Sequence, residues 1–377
     1  MGVTKEELKQ LIDQAVSKHL AKLGVNGGGV VPAGEGKDVI KAFGEVVKEL
    51  AQGASPLELE KKGLTEASPE SGGVLVPCEV VPMILDASKR YGKIRNLATV
   101  FPVSAPSGAI PATSIIPPAY VVDEGQNIPE WDGQGAFHPV RFAVKIMGVI
   151  IPVSRALLQD SVVNLANFLI DKMGQAFARA EDVLSIMGNF VNDPKYQGFD
   201  GVLTQLKNAG VESAPVAGKL ADLSNEDLSY DLLVEINTAL DKVDADFASN
   251  AVWVVSPGVY EAILKIKDAN GYPIFNRRPE GAFAGTLFGR PVIVLNHLRV
   301  ADETSTDANG NTVVASHLLV GDLRQIVFFE RQAIEMEVST QAGNAFATHQ
   351  VLFKAVKRED IKVALLEAFV GAKVKIQ

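Results

Sequence analysis

Residues 154–189 read SRALLQDSVVNLANFLIDKMGQAFARAEDVLSIMGN. Apolar side chains at Leu165, Phe168, Leu169, Met173, Ala176, Phe177, Ala180, Leu184 and Met187 follow the three-then-four spacing that gathers them on one stripe of an α-helix. Asp160 and Ser161 offer N-cap chemistry near the start, and Gly188 followed by Asn189 offers a stop. The spacing therefore predicts one amphipathic helix over Ser154–Asn189, well beyond the usual length in a globular protein. Such a stripe needs a wide apolar surface to lie on, and the rest of the chain must supply it.

Working outward, the residues before this helix form FHPVRFAVKIMGVIIPVS. Val140, Phe142, Val144 and Ile146 alternate with Arg141 and Lys145, the period-two signature of a half-buried strand. Its hairpin partner is expected near Ala119–Glu124, across a proline- and glycine-rich connection. A lone hairpin of this length is marginal in water, so its apolar face is expected to meet a neighbouring subunit. Further upstream, a short strand in GGVLV precedes a helix predicted over Glu79–Arg90 and a strand over Asn96–Val103.

The N-terminal 50 residues have a different character. Thr4 and Glu7 make a capping-box pattern ahead of an amphipathic helix ended by Gly24, and GVNGGGVVPAGEG then has linker composition. A second helix is predicted over Asp38–Leu50. Neither can bury its stripe alone, so both are expected to dock elsewhere. Residues 51–79 read as an extended arm.

Downstream of the long helix, elements alternate. Leu228, Leu232, Leu233, Ile236, Leu240 and Val243 mark a helix, AVWVVS a buried strand, and Pro257 the first turn of another helix. PVIVLN and SHLLVGD read as strands around the polar loop ADETSTDANGNT. This pattern predicts a compact α/β unit of about 120 residues. The tail, QIVFFER, AIEMEVS, HQVLFKAVK and DIKVALLEAFV, reads as strands alone and is expected to lie beside the long helix.

Composition narrows the function. The chain has 377 residues, 47% hydrophobic and 21% charged, with a net charge of −9. That acidity argues against general nucleic-acid binding and leaves room only for passive contact, with solubility the plainer reading of the charge. No run of eighteen apolar residues occurs, and no apolar signal-peptide core, so neither a membrane span nor secretion is expected. The single cysteine, Cys78, permits no intrachain disulfide. His19, His138, His297, His317 and His349 are scattered without metal-ligand spacing, and no phosphate loop or nucleophile elbow occurs. Glu181 with Asp182, and Glu359 with Asp360, are sequence neighbours whose side chains point apart, and both pairs are expected to be solvated charges. No catalytic residue, metal ligand or cofactor site is therefore expected.

The order of the pieces is similar to that of a known family. GGVLVPCEV at 72–80, KIRNLATVFPV, DEGQNIPEW at 123–131, and IPVSRALLQDS leading to AEDVLSIMGN resemble the major capsid proteins of tailed phages with the Hong Kong 97 type of fold. LKIKDANGYPIF, LFGRPVIV, VGDLRQIVFFER and REDIKVALLEAF continue the resemblance, which covers residues 64–377.

It implies an α+β fold with a scaffolding-like helical segment over 1–50, an N-arm over 51–79 and an E-loop over 109–146. Peripheral-domain parts would cover 80–108, 147–199 (with the spine helix) and 328–377, and an axial domain 200–327. It implies a non-enzymatic protein that assembles with itself into pentamers and hexamers of an icosahedral shell around double-stranded DNA. Scaffold, portal and cement proteins and a maturation protease are the further partners it admits, and an encapsulin-type compartment is the alternative. A protease cut would fall near Lys62 and Gly63, though the segment from Met1 is expected to be retained here. Val140, Phe142, Val144, Ile146, Trp131, Phe168, Met173 and Phe177 are the expected inter-subunit residues. Some members weld subunits through a lysine just before the E-loop proline. Ile128 stands there, so a noncovalent shell is expected.

Overall fold

The structure, a computed structural model, describes residues 66–68, 73–75 and 80–376 apart from 114–118, 129, 131–137, 161–164, 191–193, 196, 244, 268–271, 274, 276–278, 280–282, 307–311 and 344. The two predicted N-terminal helices, most of the arm, Cys78 and Trp131 lie outside the described residues.

In chain order the first half comprises β1 (Glu66–Ser68), β2 (Gly73–Leu75), α1 (Val80–Tyr91), β3 (Thr99–Pro102), β4 (Ser107–Ala112), β5 (His138–Ala143), β6 (Lys145–Ser154), α2 (Arg155–Asp160) and α3 (Leu165–Ile186). There follow α4 (Val202–Ala209), β7 (Val211–Glu212), β8 (Leu220–Asp227), α5 (Tyr230–Asp241), α6 (Ala245–Ser249), β9 (Val252–Val255), α7 (Pro257–Lys265), β10 (Gly285–Leu287), β11 (Arg290–Val294) and β12 (Glu303–Thr306). The last elements are β13 (Thr312–Gly321), β14 (Ile326–Ser339), α8 (Ala345–Thr348), β15 (Gln350–Val363) and β16 (Phe369–Lys375).

Three sheets organise these strands among the described residues. One runs β1-β2-β14-β15-β6, with β3 also beside β14. A second runs β10-β11-β9-β13-β16-β8-β7, with β12 paired to β13. The third is the β4–β5 hairpin.

The spine α3 belongs to both large sheets. Its first half places Leu169, Met173 and Phe177 against Val338, Val351 and Phe353 of the first sheet, under Ile84 of α1. Its second half sends Val183, Leu184 and Ile186 into the larger core built on Trp253, Leu319 and Val370 of the second sheet. Gly174 lets α1 cross closely, because a Cβ there would lie 2.4 Å from Cβ of Ala87. The helix stops as its sequence indicates: Gly188 adopts φ +52, and its amide donates to the Val183 carbonyl.

The structure corrects four expectations. The predicted Ser154–Asn189 helix is shorter at both ends, since Ser154 closes β6 and α3 ends at Ile186, while 161–164 lie outside the described residues. The partner of β5 is β4, at Ser107–Ala112, and not Ala119–Glu124. Gly108 explains the choice, since it stands opposite Phe142 and a Cβ there would lie 2.8 Å from the ring. Part of the expected polar loop, Glu303–Thr306, is strand β12. Finally, the closing strand β16 does not join β14 and β15 in the first sheet but enters the second sheet between β13 and β8. Phe369, Val370, Gly371, Ala372 and Val374 are all buried there, the two-sided burial of a central strand.

Gly174→Ala tests the helix crossing. Helix propensity alone would stabilise the variant by about 1 kcal/mol, whereas overpacking against Ala87 is expected to cost about 1–3 kcal/mol. Urea unfolding of the full chain should therefore show a net loss, and a gain would contradict the crossing.

Candidate functional site

The hairpin carrying the expected interface residues is held at its base by the chain itself. Phe142 stacks on Phe329 of β14 at 4.5 Å between ring centroids, and Val140, Val327 and Ile110 fill the space around them. The backbone amide of Ala143 donates to the Asp360 carboxylate at 2.7 Å. Val140 and Phe142 are therefore covered within one subunit. The alternation breaks at Val144, which is partly buried and whose amide donates to the Pro106 carbonyl. Ile146 consequently falls in the next strand, on the solvent side of β6, 67% exposed.

Apolar surface left open by the chain lies elsewhere. Tyr120, Val121, Val122 and Ile128 are exposed toward the hairpin's far end, with Asp123 and Glu124 among them. On the solvent side of β6, Ile150 joins Ile146, and β6 is an edge strand whose outer ladder is unpaired among the described residues. On the spine, Phe168 is half exposed beneath the Lys172 ammonium, whereas Met173 and Phe177 are wholly buried in their own subunit. Exposed apolar ridges along an edge strand mark association surfaces.

At the junction of spine and sheet lies a cluster that the sequence reading placed in solvent. Glu181, Asp182, Glu359 and Asp360 are all buried. Lys357 Nζ donates to Glu181 at 2.5 Å and pairs with Glu359 at 2.6 Å. Arg95 reaches Glu181 at 3.2 Å, Glu359 at 3.3 Å and Glu330 at 2.5 Å. Asp182 turns the other way and accepts from the backbone amides of Lys93 and Ile94 at 3.0 and 2.9 Å. Burial pushes its carboxyl up to about 6 against those donors. Neighbouring acids do point apart, but each to a buried partner: Glu181 and Glu359 share the cations, Asp182 takes the amides at 93 and 94, and Asp360 takes the Ala143 amide.

A signal for this existed in β15. Val351, Phe353, Ala355, Lys357, Glu359 and Ile361 share one strand phase, so Lys357 and Glu359 stand at inward positions. The sequence reading missed it because charges were scored by type and not by phase. A third buried titratable group, His317 of β13, packs edge-on to Phe190 at 4.8 Å. No group of three or more metal-type ligands occurs among the described residues.

A long helix shared by two sheets, with a protruding hairpin and exposed apolar ridges, is the construction of a subunit that completes itself against others. The chain belongs to the phage capsid family, whose family model matches residues 72–374. It is similar to the major capsid protein of Klebsiella oxytoca phage phiKO2, 22% identical over 77% of this chain and 65% of that relative's length. The fold is similar to the capsid of an empty GTA particle, with a TM-score of 0.54 and 21% identity over 76% of this chain and 89% of that one. A chain from Gordonia phage Cozz gives a TM-score of 0.50 at 15% identity, covering 75% of this chain and 85% of that one.

His317 sets an acid limit on the fold. Burial pushes its imidazole from about 6.5 down to about 4, so its contribution is intact above pH 6.5 and is lost as pH falls toward 4. The loss should reach roughly 3 kcal/mol at the acid end. Urea unfolding of both proteins at pH 7.5 and 4.5 should show the wild type losing most of that amount relative to His317→Leu, against the opposite drift that buried Asp182 and Glu359 give to both.

Proposed function

We propose that this chain is the major capsid protein of a tailed double-stranded DNA phage, assembling with itself into pentamers and hexamers that close an icosahedral shell. The observation that carries this reading is the family match over residues 72–374, which takes in the hairpin, the spine and both large sheets. The exposed apolar surface supports it. An outward ridge on an unpaired edge strand and an apolar hairpin end are surfaces that sister copies would cover.

In this reading residues 109–146 are the E-loop, 200–327 with β16 the axial domain, and the spine with β6, β14 and β15 the peripheral domain. Residues 51–79 are the N-arm and 1–50 the scaffolding-like segment. The inter-subunit contacts fall on Tyr120–Val122, Ile128, Ile146, Ile150 and Phe168, not on Phe142, Met173 or Phe177, which the subunit already buries. DNA inside the shell meets an acidic chain of net charge −9, so contact is weak and nonspecific. Scaffold, portal and cement proteins and a maturation protease complete the set of partners.

Electron microscopy of the expressed full-length protein should show closed shells, and particles recovered from a phage lysate should protect DNA from nuclease. A monomer at high concentration would sink the reading, and shells enclosing an enzyme cargo and no DNA would favour a bacterial compartment. Ile146→Asp should change subunit stability by less than about 1 kcal/mol yet yield soluble capsomers or aggregates in place of shells. Because Ile128 replaces a lysine nucleophile, particles boiled in detergent should run as one monomer band.

A further inference from the structure

We propose that the junction between the spine and strands β14 and β15 is a proton-operated clamp, in which a proton held on Glu359 keeps the junction closed and its release to solvent loosens it. The charge count comes first. Three carboxylates, Glu181, Glu330 and Glu359, meet only two cations, Arg95 and Lys357. All but Glu330, which is 20% exposed, are buried.

Both cations bind the same inner oxygens, Oε1 of Glu181 and Oε2 of Glu359. The outer oxygens, Oε2 of Glu181 and Oε1 of Glu359, have no hydrogen-bond partner among the described residues. With every acid ionised, the cluster would hold an uncompensated negative charge away from water, a costly arrangement that one proton removes. Glu359 is the acid best placed to carry it. It is fully buried, shares its cations with Glu181, and faces Glu330 directly across the β14–β15 ladder. Burial, with Glu181 beside it, pushes its carboxyl up to about 7 against the pull of Lys357 and Arg95.

Among the described residues no other charge supplies the balance. Lys145 stands opposite Glu359 on β6, but its ammonium donates to the Gly198 carbonyl and lies 5.4 Å over the Phe199 ring. Asp182 is engaged with the backbone at 93 and 94. Asp360 accepts from the Ala143 amide and lies 3.9 Å from Lys362, outside the cluster.

The sign of the effect follows. A closed junction that binds a proton the opened one releases is favoured by acid between the ordinary glutamate range near 4.5 and about pH 7. Across that window one proton makes the opening constant rise as much as tenfold per pH unit, and above it the constant is flat. Hydrogen–deuterium exchange of α3 and β15 peptides, corrected for intrinsic rates, reads this on the full-length chain held in one assembly state between pH 5 and 8.

The wild type is expected to show the rise and plateau. Glu359→Gln, isosteric with the protonated acid, is expected to keep only the smaller slope owed to Asp182. Glu330→Gln, which removes a neighbouring negative charge from the partly exposed side, is expected to bring the plateau to lower pH. A pH-independent wild type, or a wild-type profile retained by Glu359→Gln, overturns the clamp. Should Glu359→Gln not fold, an unmoved plateau in Glu330→Gln does the same. None of these outcomes depends on whether the chain closes shells.

Discussion

The structure depends on one helix belonging to two cores. Residues 169–177 of α3 bury their stripe on the first sheet, and 183–186, with Met187 just beyond, continue into the core of the second. Between these stretches sit Glu181 and Asp182, where the apolar stripe gives way to charge. Both acids are answered by the segment after α1, through Arg95 and through the amides of Lys93 and Ile94. Lys93 also donates its ammonium to the Val294 carbonyl of the second sheet at 2.8 Å. A short irregular segment thus fixes the angle between spine and sheets, because each of its polar groups has one buried partner geometry.

How the hairpin is anchored follows from the same economy of partners. Its base is held to β14 by the Phe142–Phe329 stack and to β15 by the Asp360 hydrogen bond, which leaves its far end to seek a partner. A limb rigid at the root and apolar toward the tip can reach a neighbour without exposing its own foundation. In the proposed noncovalent shell, closure would rest on many modest contacts, which lets misplaced subunits dissociate.

Much of this was legible in the sequence, wherever apolar period and fold agree. The stripe from Leu169 to Met187, the Gly188 stop, the β5 alternation and the α/β rhythm after residue 200 all appear in the structure, whereas Phe168 of the expected stripe is half exposed. The misreadings share a cause: they concern what lies beside what. Which strand meets Phe142 was decided by an absent side chain at Gly108, a signal visible only once the partners are known. Glu181 and Glu359 read as surface residues because charge type outweighed strand phase, although Lys357 stood two residues away as the compensating ion. Val140 and Phe142 were assigned to a neighbouring subunit because Phe329, nearly two hundred residues on, could not be placed opposite them.

The position of β16 bears on the order of events in the cell. Residues 369–375 lie between β13 and β8, and every other strand of that sheet is synthesised earlier. While the chain is still emerging from the ribosome, β8 and β13 face an empty slot, and the core of the second sheet cannot seal along that side. Completion of translation, and not the appearance of the spine, thus gates final folding. A polypeptide cut short before Phe369 would lack the wedge between β13 and β8, and its second core would stay open along that slot.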